Sequence, residues 1–296
     1  MSLLTHFPGI TLTTDQHSAL EALQLFIAAD AADAARVFIL RGYAGTGKTF
    51  LMQGVAAWLR AAERTVLFAA PTNRAAKVLQ HRTGAEVLTL HRLLYEYTDG
   101  AHRLMGRPEH FGTDPVLVVD EVSLLGDHTA EGSDMRFGSG KLLTDLMAFL
   151  RLDHFPHTRV VLVGDPAQLP PVGMSYSPAL SHRRLQEITG NRVAQAELTT
   201  VVRQQADNGI LTVAHAMREA IVGRDFQPRL PLERTPEVRL SNGPVLLEKY
   251  FERSPDRPSG RQIILAHSNE AIHAYNRAVR ARYYPDAEDR LAAGDF

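Results

Sequence analysis

The segment 37–53, "VFILRGYAGTGKTFLMQ", constrains the fold more than any other part of the sequence. The apolar run 37–40 leads into Gly42, and this pattern predicts a short strand that is buried on both faces. From Phe50 onward, apolar residues recur at helical spacing instead. The sequence therefore predicts a strand, a glycine-rich turn and a helix in direct succession.

The glycine-rich turn fits the pattern G-x-x-x-x-G-K-[ST], in which backbone N–H groups surround a phosphate. The first turn of the following helix adds a partial positive charge. We expect the Lys48 amine to reach the outer phosphates and the Thr49 hydroxyl to bind Mg²⁺. The expected cofactors are ATP and Mg²⁺, and the candidate nucleotide-binding residues here are Gly42, Ala44, Gly45, Thr46, Gly47, Lys48 and Thr49.

Two further apolar runs end in acidic residues. In "VLVVDEVSLLGD", Asp120 and Glu121 follow a buried strand, where adjacent carboxylates need a cation to compensate them. We expect Asp120 to hold Mg²⁺ through water, and Glu121 to orient and deprotonate the attacking water. In "VVLVGDPAQLPPVG", a strand ends at Gly164-Asp165, and we expect Gln168 to sense the γ-phosphate.

Apolar runs alternate with helical segments along the chain, which indicates a parallel sheet covered by helices, an α/β fold. The expected strands lie at 37–40, 65–70, 116–119, 160–163 and 262–266. Residues 1–90 and 114–225 are expected to form one domain, interrupted by an inserted hairpin at 91–113 that turns at Asp99-Gly100. A loop is expected at 126–141, and residues 226–296 are expected to hold a linker and a second domain.

Two groups of side chains allow two interpretations each. The hairpin aromatics Tyr95, Tyr97 and Phe111 are of a kind that either packs in a core or stacks on nucleic-acid bases. Arg74 and Lys77 either form a solvated helix face or contribute charge to nucleic-acid binding.

Composition excludes several classes of protein. The 296 residues carry a formal net charge of -1, so the chain has no overall basic character with which to bind nucleic acid. The sequence holds no cysteine, which excludes disulfides and thiolate metal sites. We expect no membrane association and a cytoplasmic location, because no apolar run is long enough to cross a bilayer. His154 and His157 lack metal-ligand spacing, so we expect them to be surface residues.

Several motifs resemble, in order, those of superfamily 1 (1B) DNA helicases of the RecD/Dda-like type. They are "LTTDQHSAL", the phosphate loop, "AAPTNRAAKVL", "TLHRLL", "ELTTVVRQ" and "IILAHSNEAIHAYNRAVR". The resemblance implies that Gln16 reads adenine and that Arg203 neutralises charge in the transition state. It also implies single-stranded DNA, or a single-to-double-strand junction, as partner, contacted by Pro71, Thr72, Asn73, Thr89, His91 and Asn269.

The implied fold is a RecA-like P-loop NTPase with a hairpin insertion and a partial second RecA-like domain. The implied function is ATP-driven 5′-to-3′ movement on single-stranded DNA. Because the sequence ends where such helicases continue, we expect a chain truncated within its second motor domain, with a separate polypeptide as a candidate source of the remainder. Two alternatives stay open: an ATP- and DNA-binding module that does not unwind, and an RNA-directed helicase.

Overall fold

The computed structural model describes residues 2–29, 34–112, 114–128, 137–190, 192–202, 209–232, 237–257 and 262–285. The chain divides into two compact units, Met1–Gln205 and Ala206–Phe296. The described residues contain no helix that combines the length and the apolar character required to cross a bilayer.

The first unit contains a six-stranded sheet in which every neighbouring pair of strands is parallel. Its strands are β1 (Val37–Gly42), β2 (Val66–Ala70), β3 (Val87–Thr89), β6 (Val116–Val119), β7 (Arg159–Gly164) and β8 (Val193–Leu198). The spatial order is β3-β2-β6-β7-β1-β8. All strands therefore end at one side of the sheet, called here the carboxyl edge.

Among the described residues of the first unit, six α-helices cover the two faces of this sheet. They are α1 (Thr14–Ala28), α2 (Lys48–Ala61), α3 (Asn73–Thr83), α4 (Leu90–Leu94), α5 (Leu142–Leu150) and α6 (His182–Thr189). One core cluster packs α1, α2 and α3 on one face, and another packs α4, α5 and α6 on the opposite face. The sheet flanked by helices confirms the expected α/β, RecA-like P-loop fold.

Successive strand residues point to opposite core clusters, as the pleat requires. Phe38 and Leu40 of β1 belong to the first cluster, whereas Val37 and Ile39 belong to the second. All four side chains are buried, which explains why the strand appears in the sequence as a continuous apolar run.

An antiparallel hairpin lies outside the main sheet and consists of β4 (Tyr95–Thr98) and β5 (Ala101–Leu104). Asp99 and Gly100 connect the strands with positive φ values of 54° and 77°. Positive φ at both central residues is typical of the tight turns that match the twist of a hairpin. The expected hairpin turn is therefore confirmed.

The second unit contains three helices among its described residues: α7 (Gly209–Gly223), α8 (Gly243–Arg253) and α9 (Asn269–Tyr283). The ring of Phe251 lies 5.5 Å from that of Tyr283, so α8 and α9 contact each other. The expected strand at 262–266 is wrong, since these residues have no strand conformation. Ile263 and Leu265 are 69% and 83% exposed, so the apolar pattern there does not reflect burial between neighbouring strands.

Two strands of the main sheet, β3 and β8, were not expected from the sequence. Both lie at edges of the sheet, and the inner residues of β8 alternate between partial burial and exposure. Residues 129–136 of the loop expected at 126–141 lie outside the described residues. The partial second RecA-like domain and the domain boundaries stay predictions.

The packing of β1 gives a stability prediction. Phe38 is 1% exposed and its ring lies 5.3 Å from that of Phe26. We expect Phe38→Ala to lower the free energy of unfolding of the first unit by about 3–5 kcal/mol, because it leaves a cavity. Denaturant unfolding followed by the fluorescence of Trp58, the sole tryptophan, measures this change.

Leu25→Ala is the control. Leu25 is 72% exposed, so this substitution is expected to change the free energy of unfolding by no more than about 0.5 kcal/mol. Equal losses for the two variants would contradict the described core.

Candidate functional site

The phosphate-loop pattern lies between β1 and α2, at the carboxyl edge. Gly45 and Gly47 adopt φ values of 82° and 93°, which residues with side chains rarely adopt. A Cβ at Gly47 would lie 2.7 Å from Nε2 of Gln16, and a Cβ at Gly42 would lie 2.7 Å from Oγ1 of Thr46. Gly47 therefore requires glycine because of both its backbone conformation and the nearby Gln16. Gly42 requires glycine because a side chain would collide with Thr46.

Lys48 begins α2, and its amine lies inside the loop. Nζ donates to the carbonyl oxygens of Gly42 at 2.6 Å and Tyr43 at 3.0 Å. Oδ2 of Asp165 lies 3.9 Å from the same nitrogen. Burial lowers the pKa of Lys48, while the charges of Asp165, Asp120 and Glu121 act in the opposite direction. The amine is thus a largely buried cation held by carbonyl groups and a nearby carboxylate.

Asp120 follows β6 at the carboxyl edge and is 6% exposed. Burial raises its pKa to about 6, although the hydrogen bond from the Glu121 N–H favours the charged form. That bond, from N of Glu121 to Oδ1 of Asp120, measures 2.9 Å. Glu121 has a φ of 56°, in the left-handed region, which is uncommon for a residue with a side chain and occurs often at functional sites.

Asp165 follows β7 and was not among the residues expected in the site, although the sequence pattern marked the end of its strand. The residue is 4% exposed, and its Oδ1 accepts from N of Ala167 at 2.8 Å. The hydroxyl of Ser123 bonds to both the carbonyl oxygen and the N–H of Asp165, at 3.0 and 2.9 Å. These bonds hold Asp165 in place close to Lys48. An apolar run that ends in aspartate was the sequence signal available for it.

Gln168 lies in the turn after β7, where its N–H donates to the carbonyl oxygen of Asp165 at 3.2 Å. The residue is exposed. Its backbone is therefore fixed beside Asp165, while its expected contact with a γ-phosphate stays a prediction.

Gln16 lies at the N-terminal end of α1 and is 3% exposed. Its Nε2 donates to the carbonyl oxygen of Thr46 at 2.9 Å, and its Oε1 accepts from N of Thr13 at 3.1 Å. The Thr13 hydroxyl in turn accepts from N of Gln16, which completes a capping box. The side chain thus links the start of α1 to the phosphate loop, and its expected contact with adenine stays a prediction.

Asp15, the neighbour of Gln16, contacts the residues that follow β8. Oδ2 accepts from N of Thr199 at 2.6 Å and from N of Thr200 at 2.8 Å. Oδ1 accepts from the Thr13 hydroxyl and from N of Gln16. Burial opposes ionisation, but these hydrogen bonds lower the pKa of Asp15 to about 2. Sequence patterns did not indicate this residue.

The expected DNA contacts of the first unit lie at another part of the carboxyl edge, beyond the adjacent strands β2 and β3. Thr72 caps α3 by accepting from N of Ala75 at 3.2 Å, and Thr89 caps α4 by accepting from N of Arg92 at 3.2 Å. Both hydroxyls are therefore fixed in orientation. Pro71 and Asn73 flank the first cap and His91 follows the second.

His91 lies in a cluster of aromatic rings next to the hairpin. Its ring is 4.7 Å from that of Phe137, which stacks on His102 of β5 at 4.2 Å. Burial lowers the pKa of His91, and the nearby His102 acts in the same direction. The neutral ring is thus favoured, and it packs between the main domain and the hairpin.

The hairpin aromatics divide between the two interpretations. Tyr95 and Phe111 are 8% and 1% exposed, and the Tyr95 hydroxyl donates to Asp145 at 2.8 Å, so both rings pack in the core. Tyr97 is 70% exposed and lies 5.0 Å from His102. Base stacking therefore stays open for Tyr97 alone among these three rings.

Arg203 lies outside the described residues. Asn269 belongs to the second unit, where it is the exposed first residue of α9, and the preceding Ser268 caps that helix by accepting from N of Ala271 at 3.2 Å.

The described residues hold no cluster of three or more histidine, cysteine or acidic side chains that is suited to a metal ion. His154 lies in an exposed pair with Asp153, 2.8 Å away. The donor chemistry of Thr49 and Asp120 nevertheless suits Mg²⁺, because that ion takes oxygen ligands and is usually held by one or two carboxylates together with substrate phosphates.

Part of the chain is similar in sequence to a known protein family and to a known helicase. Residues 11–132 match a family described as an AAA domain. Over 154 residues the chain is 36% identical to the ATP-dependent RecD2 DNA helicase of Deinococcus radiodurans. The resemblance to superfamily 1 helicases of the RecD-like type is confirmed. The matched part is 50% of this chain and 17% of the length of that helicase, so the resemblance concerns a small part of the larger protein.

Two of the similar solved structures align with most of this chain. The alignment with the Pif1 helicase of Candida albicans covers 91% of this chain and 54% of the helicase chain, with 17% identity and a TM-score of 0.47. The alignment with AMPPCP-bound DnaA from Aquifex aeolicus covers 95% of this chain and 74% of the DnaA chain, with 16% identity and a TM-score of 0.38.

The hydrogen bonds of Asp15 predict a dependence of stability on pH. Because its folded pKa of about 2 lies below the ordinary 3.8, ionised Asp15 stabilises the fold above pH 3.8, and this contribution is lost as the pH falls from 3.8 towards 2. We expect the melting temperature of Asp15→Asn to lie below that of the unmodified chain by a constant amount between about pH 5 and 7. Calorimetric scans should show this gap shrinking below about pH 4. A gap that is independent of pH would contradict the ionised hydrogen-bond acceptor.

Proposed function

We propose that this chain is an ATP-hydrolysing motor of the DNA helicase type, which couples nucleotide turnover to 5′-to-3′ movement on single-stranded DNA. The observation that carries the proposal is the convergence of Lys48, Asp120 and Asp165 at the carboxyl edge, beside a glycine-rich loop. Open parallel sheets bind their ligands at this edge. The polarity comes from the resemblance to RecD-like helicases.

Lys48 is the proposed phosphate-binding cation. Its amine now bonds to the carbonyl oxygens of Gly42 and Tyr43. Phosphate oxygens carry more negative charge than carbonyl oxygens, so the amine would exchange these partners for the outer phosphates of ATP. The glycine-rich backbone and the remaining loop residues, Ala44 to Thr49, would surround the same phosphates, and Gln16 would contact adenine.

Thr49 and Asp120 are the proposed ligands of Mg²⁺, which when bound would neutralise phosphate charge. Glu121 is the proposed general base that takes a proton from the attacking water. Gln168 would orient towards the γ-phosphate, and Arg203 would neutralise charge in the transition state. The buried carboxylate beside a buried ammonium supports this division of roles, because each charge requires the other in a region of low dielectric.

Single-stranded DNA is the proposed partner of the second part of the carboxyl edge. Pro71, Thr72, Asn73, Thr89 and His91 are the proposed contacts, with Asn269 from the second unit. Hydroxyl, amide and backbone groups supply many contacts to nucleic-acid backbones, and they do so without net positive charge. This is consistent with a chain whose formal net charge is -1.

Removing the lysine tests nucleotide binding. We expect Lys48→Ala to weaken ATP affinity at least about tenfold and to abolish hydrolysis, because the outer phosphates lose their buried cation. Titration calorimetry in Mg²⁺ measures the affinity, and circular dichroism checks the fold. The exposed Lys141 provides the control, since Lys141→Ala is expected to bind ATP as the unmodified chain does. Equal ATP affinity for all three proteins would refute the assignment of Lys48.

Replacing the proposed base separates binding from chemistry. Glu121→Gln keeps the size of the side chain but removes its basicity, so we expect unchanged ATP affinity and turnover lowered by about 10²-fold or more. Steady-state phosphate release measures turnover. The exposed Glu86 serves as control, because Glu86→Gln is expected to leave both quantities unchanged. If Glu121→Gln turns over ATP at the rate of the unmodified chain, another group acts as the base.

Nucleic-acid dependence of the ATPase tests the partner. We expect single-stranded DNA to stimulate turnover, and RNA of the same sequence to stimulate it less. Stronger stimulation by RNA would favour an RNA-directed helicase, and ATP binding without stimulated turnover would favour a binding module. A polypeptide that completes the motor and a cytoplasmic location stay predictions.

A further inference from the structure

The first turn of α1 lies between the phosphate loop and the residues that follow β8. Asp15 accepts hydrogen bonds from the N–H groups of Thr199 and Thr200, at 2.6 and 2.8 Å. Gln16, the next residue, donates to the carbonyl oxygen of Thr46 in the phosphate loop, at 2.9 Å. Two adjacent side chains thus bind two segments that are far apart in sequence.

A third hydrogen bond joins these two segments directly. The N–H of Val202 donates to the carbonyl oxygen of Gly45 at 3.0 Å. The contacts therefore form a closed ring, which we call the loop brace: Asp15, Gln16, Gly45, Thr46 and residues 199–202. In a closed ring each hydrogen bond limits the movement available to the others.

The loop brace fixes two consecutive peptide groups of the phosphate loop. In a trans peptide the C=O and the N–H point in opposite directions. Holding the Gly45 carbonyl on Val202 therefore turns the N–H of Thr46 away from Val202. Holding the Thr46 carbonyl on Gln16 likewise turns the N–H of Gly47 away from Gln16. The Thr46 N–H itself donates to the carbonyl oxygen of Tyr43 at 3.3 Å, which fixes the same turn of the loop from within.

We propose that Asp15 is a positioning residue for phosphate binding, which acts through residues 199–202 to hold the backbone of the phosphate loop in one conformation. The proposal rests on the proposed nucleotide-binding function. It differs from the adenine contact proposed for Gln16, because it concerns the phosphate end of the ligand and a residue that does not touch it.

The carboxylate suits this role better than an amide does. Its two oxygens accept five hydrogen bonds, from the hydroxyls of Thr13 and Thr199 and from the N–H groups of Gln16, Thr199 and Thr200. An asparagine side chain has one acceptor oxygen, and its NH₂ group would face N–H donors. Bonds to an ionised acceptor are also stronger, and the position in the first turn of a helix favours negative charge.

The test measures backbone amide exchange and ligand affinity in Asp15→Asn. Without nucleotide, we expect the amide of Val202 to exchange at least about tenfold faster, together with those of Thr199 and Thr200, while amides of β6 and β7 keep their rates. We expect affinity for magnesium tripolyphosphate and for ATP to fall by the same factor, about tenfold, because both ligands share the phosphate contacts. Global destabilisation would instead accelerate exchange throughout the sheet.

Two further variants separate this role from others. Asp114→Asn is the matched control, since Asp114 is an exposed aspartate whose carboxylate lies 3.9 Å from Arg64, and we expect no change in loop exchange or affinity. Gln16→Ala should weaken ATP more than tripolyphosphate if Gln16 also contacts adenine. Asp15→Glu keeps both oxygens and should retain more affinity than Asp15→Asn, which gives a second measurement if the asparagine variant folds poorly.

The possible failures are distinguishable. If Asp15→Asn accelerates exchange at Thr199 and Thr200 but leaves Val202 and tripolyphosphate affinity unchanged, the positioning role is overturned. If the unmodified chain binds neither ATP nor tripolyphosphate, the proposed function fails instead, and the exchange of Val202 still decides whether Asp15 holds the loop brace together.

Discussion

The buried amine of Lys48 sets the requirements that the surrounding residues meet. A largely buried cation is costly unless carbonyl or carboxylate oxygens surround it. Here the loop supplies the carbonyl oxygens of Gly42 and Tyr43, and β7 supplies Asp165 at 3.9 Å. The same cation favours ionisation of Asp120, whose own burial raises its pKa to about 6. The acidic strand ends and the basic loop therefore depend on each other.

The parallel sheet brings together groups that lie far apart in the sequence. Because all six strands end at one edge, the residues following β1, β6, β7 and β8 become neighbours although they lie far apart in the chain. Ser123 illustrates the resulting precision, since one hydroxyl after β6 bonds to both the N–H and the carbonyl of Asp165 after β7. The site is thus a property of the topology, and the motifs supply its chemistry.

The sequence predicted those parts of the structure whose signal is local. Strands β1, β6 and β7 lie in the interior of the sheet, so they appear as continuous apolar runs, and the hairpin turn is marked by Asp99-Gly100. Strand β8 was missed because an edge strand alternates apolar and polar residues. The role of Asp15 was missed because its partners lie 184 and 185 residues away. At 262–266 the local signal was misleading, since this apolar run pairs with no strand among the described residues and has no strand conformation.

The helix caps at the other part of the carboxyl edge show how one side chain can serve both fold and ligand. The hydroxyls of Thr72 and Thr89 accept hydrogen bonds from the N–H groups of their own helices, which fixes each oxygen in place. Accepting such a bond leaves the hydroxyl hydrogen available for donation. A phosphate oxygen of the proposed DNA strand is an acceptor for that hydrogen. The same hydrogen bond that begins α3 or α4 therefore orients the group proposed to bind DNA, and this proposed mode of binding does not require a net positive charge.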